Sequence, residues 1–473
     1  MNWQKIIKEK KIDVSIINFK NIERERIDAY FYSNDFIENE NAIKKLNTKP
    51  MGDICYVKSG TTPKDRDDDL NDGVVLLKTT DIRNKPLSSS SNYYYISEKL
   101  AEKMKSTQLK KGDILINIVG ATLGVVGRVS IIPDNFPKAN ITQAMAMLRI
   151  RDEEFLPEYI FTFLLSKYGN LQAQRLARPT GQYNLNLQEV SAIRVPVANK
   201  DFQKCISKFI YDFQILSDKS IKAYDDAEQL LLKEINLEGY KNTSQNVSIR
   251  NFLDCISNNR FDSEYWQPDF DLILDKISKY KKGVSIIGNE FKQIKNNFKP
   301  DKDIEYNYIE IGDVKVSNGE VEYSSIVGTE LPANAKIKFG KKQLITSKVR
   351  PNRGATAILN NHDEYIGSGA FTVLSEKENI NLETLMIYLK SKPIRELLLR
   401  YNTGTSYPVI TDDDVLKLPI PLIDKTLQKK ISQLVNTSAK ERDEAKILIE
   451  KAKKAIEIFV EQDEKEALKC LNK

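Results

Sequence analysis

The strongest constraint on the fold of this chain is an internal duplication. Val14-Ser15-Ile16 followed by Asn18-Phe19 recurs as Val247-Ser248-Ile249 followed by Asn251-Phe252, and Arg26-Ile27-Asp28-Ala29-Tyr30-Phe31 returns as Arg260-Phe261-Asp262-Ser263-Glu264-Tyr265-Trp266. Further on, Thr79-Thr80-Asp81-Ile82 answers to Ile311-Gly312-Asp313-Val314, Ile114-Leu115-Ile116 to Gln343-Leu344-Ile345, and Gly127 to Gly354. Near the end of each half, Thr180-Gly181 answers to Thr403-Gly404 and Pro196 to Pro419. The order is kept while the spacing drifts, as it does when loops gain and lose residues inside a repeated unit. At 473 residues the chain exceeds one ordinary domain, so two copies of one globular design are expected.

Each copy closes on a long amphipathic stretch. From Asp201 to Leu237, one heptad row carries Phe202, Phe209, Leu216, Ala223, Leu230 and Leu237, and the row four residues on carries Ile206, Phe213, Ser220, Ala227 and Glu234. The stretch starts after Val195-Pro196-Val197, where proline blocks a helix backwards, and stops at Gly239, suited to a left-handed helix end. A helix of roughly 37 residues is about 55 Å long and needs something to cover its seam. After Leu418-Pro419-Ile420-Pro421 the chain offers Leu427, Ile431, Leu434, Ala445, Leu448, Ala452, Ala455 and Phe459 in the same two rows, with Ser438 and Glu441 as weak points. Periodicity alone fits two separate surface helices equally well; the duplication favours pairing.

The globular regions read as mixed helix and strand. Strands are expected over Val74 to Lys78, Asp113 to Val119 and Ala144 to Ile150 in the first half, and over Tyr306 to Ile309 and Gln343 to Ile345 in the second. Pro157 suits the first turn of a helix through Ile160, Phe163 and Leu164 that breaks near Gly169 and resumes over Leu171 to Leu176. Leu382 to Leu389 breaks at Pro393 and resumes to Tyr401. The polar stretch Glu238 to Asn246 separates the copies, and Asp65 to Asp72 and Ser88 to Asn92 read as loops. The expected layout is therefore a globular domain over residues 1–197, a helix over 198–240, a second globular domain over 241–421 and a helix over 422–473.

The residues offer little for chemistry. Cys55, Cys205, Cys255 and Cys470 form no Cys-x-x-Cys pair, and His362 stands alone, so neither a disulfide framework, nor a zinc site, nor a His-based triad is suggested. Gly120 to Arg128 is glycine-rich and follows a strand, but it lacks the ending of a P-loop and the dinucleotide spacing, and its counterpart Val349 to Gly354 keeps only the last glycine. It reads as a tight connection. Neither an Asn-Pro-Pro-Tyr nor an Asp-Pro-Pro-Tyr methyltransferase stretch is present, and Pro300-Asp301 lacks a downstream Glu-x-Lys. Asp412-Asp413-Asp414 suits a helix N-terminus. No apolar run approaches a bilayer span and Met1 to Lys11 is too polar for a signal peptide, so a cytoplasmic chain with no membrane partner is expected. A formal charge of +6 permits a nucleic-acid partner without requiring one.

Polar loops recur in both halves. Arg178-Pro179-Thr180-Gly181-Gln182-Tyr183-Asn184 offers donors and acceptors suited to base edges beside a cation for phosphate, and Thr403-Gly404-Thr405-Ser406-Tyr407 is its counterpart. Either loop alone would read as a decorated turn.

The ordered set of Arg-Ile-Asp-Ala-Tyr-Phe and Arg-Phe-Asp-Ser-Glu-Tyr-Trp openings, Thr-Gly loops, Val-Pro-Val and Leu-Pro-Ile-Pro runs, and Phe202-Gln203-Lys204-Cys205-Ile206 and Leu427-Gln428-Lys429-Lys430-Ile431 helix starts resembles the DNA-specificity subunits of type I restriction-modification systems. The resemblance covers nearly the whole chain. It departs from the family in having Phe202 and Leu427 where an acid commonly precedes the glutamine, and in the extension Met1 to Asp13. It implies an α+β fold: two tandem globular α/β target-recognition domains, each followed by a long α-helix, with the two helices pairing as an antiparallel coiled coil.

The resemblance also implies a non-catalytic subunit that recognises a bipartite double-stranded DNA target. Its partners would be two copies of an adenine-N6 DNA methyltransferase subunit and restriction endonuclease/translocase subunits. No cofactor would be bound by this chain; S-adenosylmethionine, ATP and Mg would sit on the partners. The candidate DNA-contacting set is Lys58, Thr61, Thr62, Lys64, Arg178, Thr180, Gln182, Tyr183 and Asn184 in the first half, and Lys299, Lys348, Arg350, Asn352, Arg353, Thr403, Thr405, Ser406 and Tyr407 in the second. A specificity subunit of a methylation-only system and a coiled-coil adaptor that binds protein remain open alternatives.

Overall fold

The computed structural model describes the chain except residues 1–14, 16, 24–25, 65–66, 68–69, 71, 90–92, 180, 243–246, 361, 363, 404–406 and 473. The extension Met1 to Asp13 and the candidates Thr180, Thr405 and Ser406 therefore lie outside the described residues. The chain divides into two compact units, one comprising residues 1–218 and 442–473, the other 219–441. The division cuts through both long helices, Lys200–Glu234 and Lys425–Glu461, so each unit holds a piece of each.

In the first unit, strands Cys55–Ser59, Met145–Ile150, Ile114–Asn117 and Val129–Ile131 form one antiparallel sheet in that order. A second sheet sets Val74–Leu77 antiparallel to Tyr95–Ile96 and parallel to Ala139–Ile141. Val74 to Leu77 is buried on both faces, which is why it reads as an unbroken apolar run rather than an alternation. Helices Pro157–Leu165 and Lys167–Leu176 meet at Ser166, whose hydroxyl donates to the Phe163 carbonyl (2.6 Å) and accepts from the Gly169 N–H (3.4 Å). One serine thus ends one helix and caps the next, so the break falls three residues before Gly169. Gly169 is required for another reason: a Cβ there would come within 2.2 Å of the Phe163 carbonyl oxygen.

The second unit repeats the plan. Phe291–Gln293, Phe371–Glu376, Gln343–Ser347 and Thr356–Leu359 form the antiparallel sheet, and Ser324–Val327, Glu305–Ile309, Tyr365–Ser368 and Ala335–Phe339 the mixed one, again with one parallel pair. Ser391 separates helices Leu382–Lys390 and Lys392–Leu397, two residues before Pro393, and donates to the Tyr388 carbonyl (2.7 Å). Thr79–Asp81 and Ile311–Asp313 are both single turns of 3₁₀ helix, closed by Asp81 and Asp313 accepting from the N–H of Lys78 and Glu310 (2.7 Å each).

The root of each long helix carries a second duplicated device. Gln203 is buried; its Oε1 accepts from the Leu156 N–H (2.8 Å) and its Nε2 donates to the carbonyls of Glu154 and Ala198 (2.9 Å each). Gln428 does the same with the Asn381 N–H (2.9 Å) and the carbonyls of Asn379 and Ile423 (2.8 Å each). Each glutamine ties its helix to the loop before the paired helices.

Within each unit the two helical pieces run antiparallel. In the first, Phe202 near the start of one helix packs against Phe459 near the end of the other, ring centroids 5.4 Å apart. In the second, Ser220 and Ser438 are both buried; the Ser220 hydroxyl donates to the Ser438 carbonyl (2.7 Å) and lies 3.1 Å from its hydroxyl. Two weak points of the apolar rows therefore satisfy one another. The row Ile206, Phe213, Ser220, Ala227 is buried throughout, but Leu230 is half-buried while Leu231 is buried, and Ile235 is buried where Glu234 was expected. A helix of 3.6 residues per turn slides off a strict heptad by about 20° per repeat, which moves the seam to the next residue. The second long helix stops at Glu461, short of the end expected for it; Glu464–Asn472 forms a separate short helix whose Glu464 accepts from the Asn199 N–H (2.7 Å).

Candidate nucleic-acid interface

The opening motif of each copy is an anchor. In the first unit Arg26 is buried, pairs with Asp28 (3.0 Å) and donates to the carbonyls of Leu176 and Arg175 (3.1 Å each), just ahead of the polar loop. The Asp28 carboxylate in turn accepts from the Phe31 N–H (3.0 Å). The Phe31 ring lies against two guanidiniums, Arg26 and Arg175, each 4.2 Å from its centroid. In the second unit Arg260 grips Asp262 through two bonds of 2.6 Å, donates to the Asn402 carbonyl (3.2 Å), and shares the Tyr265 ring with Arg400 at 4.6 and 4.3 Å. Those bonds from Arg260 hold the Asp262 carboxyl below the usual carboxylate range. Arg175 and Arg400 sit at the ends of helical stretches with no sequence neighbour to betray the ring they cover.

The anchored segments lead into narrow-necked loops. Arg178–Pro179 pairs with Tyr183–Asn184, and Asn184 and Tyr183 pair with Val119 and Gly120 on their other side. The glycine-rich stretch and the Thr-Gly loop are thus neighbours, and a Cβ on Gly120 would come within 2.7 Å of the Val125 side chain. The N–H groups of Val125 and Gly127 go to the carbonyls of Thr122 and Asn117, as in a tight connection. Gln182 is exposed, and its carbonyl accepts from the Asn184 amide (3.1 Å). Arg178 is held by Glu189 (2.8 Å), which also accepts from the N–H of Asn186, the cap of helix Leu187–Ala192. Burial, with Tyr183 nearby, pushes the Tyr30 phenol up to about 12.

Lys58, Thr61 and Thr62 reach the same end of the sheet. Lys58 lies in the strand that ends at Ser59; the Thr61 N–H donates to the Ile141 carbonyl, and the Thr62 hydroxyl accepts from the Gln143 N–H (3.4 Å). Ile118 donates to the Ala144 carbonyl and accepts from the Leu185 N–H, tying that edge to the polar loop. Lys64 is exposed just beyond.

In the second unit residues 348–350 run beside 408–410: Arg350 N–H donates to the Pro408 carbonyl (2.7 Å), and Ile410 N–H to the Lys348 carbonyl (3.0 Å). Val409 N–H donates to the Asn402 side chain (2.9 Å) and Thr403 N–H to the Val409 carbonyl (3.2 Å), which closes the neck. Lys348 is committed to Asp412 (3.0 Å). Burial pushes that carboxyl up, but hydrogen bonds from Thr372 and Lys348 outweigh it and hold it low. Asp412 to Asp414 form the first turn of helix Asp412–Lys417, as their run suggests. Arg350 lies over the Tyr407 ring at 4.3 Å. Asn352 gives its carbonyl to Arg395 (3.1 Å), and Arg353 is exposed. Lys299 sits elsewhere: the preceding Phe298 N–H donates to the Lys336 carbonyl at the edge of the mixed sheet.

Two supports were not legible in the sequence. Lys390, buried in a helix, donates to the carbonyls of Val316 (2.8 Å) and Gly354 (3.2 Å). Arg395 lies so close to Gly354 that a Cβ there would come within 2.6 Å of its Cδ. Together they hold the turn Arg350–Gly354 from beneath.

Residues 43–223 match the family model of the type I restriction modification DNA specificity domain. A stretch of 160 residues, 34% of this chain, is 24% identical to the Escherichia coli type I restriction enzyme EcoBI specificity subunit. The match spans about a third of that relative's length, 32%. Among solved structures, the S subunit of the type I restriction-modification system from M. genitalium is 13% identical, covering 90% of this chain and 96% of that one at a TM-score of 0.43. The HsdS subunit from Thermoanaerobacter tengcongensis is 12% identical, covering 86% and 96% at 0.27. The resemblance read from the sequence to specificity subunits of type I systems is thereby borne out. No helix among the described residues is long and apolar enough to cross a membrane.

Proposed function

We propose that this chain is the specificity subunit of a type I restriction-modification assembly and that each unit reads one half of a bipartite double-stranded DNA target. The observation that carries this reading is the duplicated construction. In both units an Arg–Asp–aromatic anchor fixes the backbone leading into a polar loop, which is itself paired with the connection after the central strand. A polar loop whose neck is held this firmly is suited to place side chains at base edges. The frames agree while the tips differ: Gln182, Tyr183 and Asn184 stand in one and Tyr407 in the other, so the two half-sites should have different sequences. Two readers on one chain multiply selectivity that neither would reach alone.

On this reading residues 1–197 and 241–421 are the recognition domains, and the stretches 198–240 and 422–473 carry the spacer helices Lys200–Glu234 and Lys425–Glu461. The chain would itself carry out no reaction. Its place is to set two copies of an adenine-N6 methyltransferase subunit, and restriction endonuclease/translocase subunits, on the target, with S-adenosylmethionine, ATP and Mg bound by those partners. The test is selection of randomised duplexes by the purified full chain, followed by a salt titration of the selected duplex. Two short conserved blocks separated by an unread spacer are expected, with affinity falling steeply with salt. A single block, binding indifferent to salt, or methyl transfer by the chain without partners would overturn the reading.

A further inference from the structure

Resting on the DNA-reading function proposed above, we infer that the second unit recognises a guanine through Arg350, with Tyr407 as the surface that sets the guanidinium plane. Arg350 is one of few non-glycine residues in the left-handed region, at φ 49° and ψ 54°. A side-chain-bearing residue reaches that conformation only when its surroundings force it. Here they do so from three sides. The Arg350 N–H donates to the Pro408 carbonyl (2.7 Å), its own carbonyl accepts from Arg353 (2.9 Å), and Arg395 and Lys390 hold the carbonyls of Asn352 and Gly354 (3.1 and 3.2 Å).

The side chain that this backbone projects lies over the Tyr407 ring, 4.3 Å from its centroid, and has no hydrogen-bond or ion-pair partner among the described residues. Held over the ring, the guanidinium keeps its N–H fork unspent and is restricted in where that fork can point. A phosphate can also take the fork through two of its oxygens, but those oxygens face several directions, so a plane fixed in advance favours it less than it favours a flat base edge. Guanine O6 and N7 accept from a coplanar fork, which is the commonest specific contact of arginine with a base. Arg353, three residues on, is exposed with no such ring beneath it, which fits a phosphate contact. Among the described residues the first unit shows no equivalent: Arg128 donates to the Gly124 carbonyl (2.8 Å) and Arg178 is held by Glu189. The dependence on guanine should therefore appear in one half-site only.

The test uses the full chain and duplexes selected by it, with Arg350→Lys, Tyr407→Phe and Tyr407→Leu as variants. Lysine keeps the charge but has no fork, so Arg350→Lys should lower the preference for guanine at one position by about ten- to a hundredfold. Affinity for unrelated duplex and the salt slope should stay unchanged. Replacing that base by 7-deazaguanine, which lacks N7, should weaken the wild type and leave Arg350→Lys unaffected. Tyr407→Phe should keep the preference and Tyr407→Leu should reduce it. If a bipartite site is selected but Arg350→Lys leaves every position as specific as before, or weakens all sequences alike, the inference fails while the specificity function stands. If the wild type selects no sequence at all, the function proposed above fails with it.

Discussion

Replacing Lys390 by methionine should remove a pH dependence that the wild type carries. Lys390 is buried beside Arg395, Glu228 and the Tyr224 ring; burial, and then Arg395, push its amine from 10.5 down to about 7. In the unfolded chain the amine keeps its ordinary value, so between the two values the unfolded state holds a proton that the folded state has given up. Stability therefore rises with pH across that window, by about 1.4 kcal/mol per pH unit, or roughly 5 kcal/mol over the whole of it. Below pH 7 both states are protonated and the full cost of the buried charge is present. Methionine removes that cost but leaves the carbonyls of Val316 and Gly354 without their donor, at about 1 to 3 kcal/mol each. Lys390→Met should thus be near neutral or modestly stabilising at pH 7 and clearly destabilising by pH 9.5. Urea unfolding of both proteins across that range, followed by hydrogen exchange of the second unit, measures the difference. Parallel stability curves would show that the amine is neither buried as a charge at neutral pH nor released as pH rises.

The root glutamines make a paired prediction: Gln203→Leu leaves one N–H and two carbonyls buried without a partner and should destabilise the first unit by about 3 to 5 kcal/mol, and Gln428→Leu the second by as much. Exchange protection resolved by unit should assign each loss to its own half. Ser220→Ala should cost about 1 kcal/mol, whereas Ser220→Ala with Ser438→Ala should cost little more, because removing both hydroxyls leaves neither unsatisfied; additive losses in a double-mutant cycle would contradict the pairing. Gln182→Ala with Asn184→Ala should lower discrimination at one half-site by about 1 to 3 kcal/mol per lost base contact and leave the other unchanged, read by competition with single-base variants of the selected duplex.

What the sequence disclosed follows the range of the interaction involved. Heptad rows and alternation are local, so both long helices and a handful of the longer sheet strands, such as Val74–Leu77 and Met145–Ile150, could be read from it, while the short strands could not, and the serines at the seam showed as interruptions whose partner was out of view. The repeat made the second copy readable from the first: Asp81 and Asp313 close matching turns because both are spaced to reach their own backbone. Arg175, Arg400, Lys390 and Arg395 could not be found that way. Each lies on a helix where a long cation reads as surface, and each acts on a segment far off in the chain. The sequence placed the breaks near Gly169 and at Pro393 rather than at Ser166 and Ser391, because glycine and proline are louder signals than a serine that closes the helix before it.

The two copies also show how a frame can be kept while a tip is changed. Arg26 donates to the carbonyls of Arg175 and Leu176, Arg260 to that of Asn402, and the side-chain amides of Gln203 and Gln428 bond only main-chain groups. Every residue presents a carbonyl, and every residue but proline an N–H, so these anchors place no demand on the side chains of the loops they hold. Gln182-Tyr183-Asn184 and Tyr407 can then stand on equivalent supports, and a stacked arginine can be added in one copy through Lys390 and Arg395 without disturbing the other. Anchoring through the main chain frees the loop to vary. On the DNA-reading function proposed above, that separation would let a new specificity arise from tip residues alone, with the fold and its stability carried over intact.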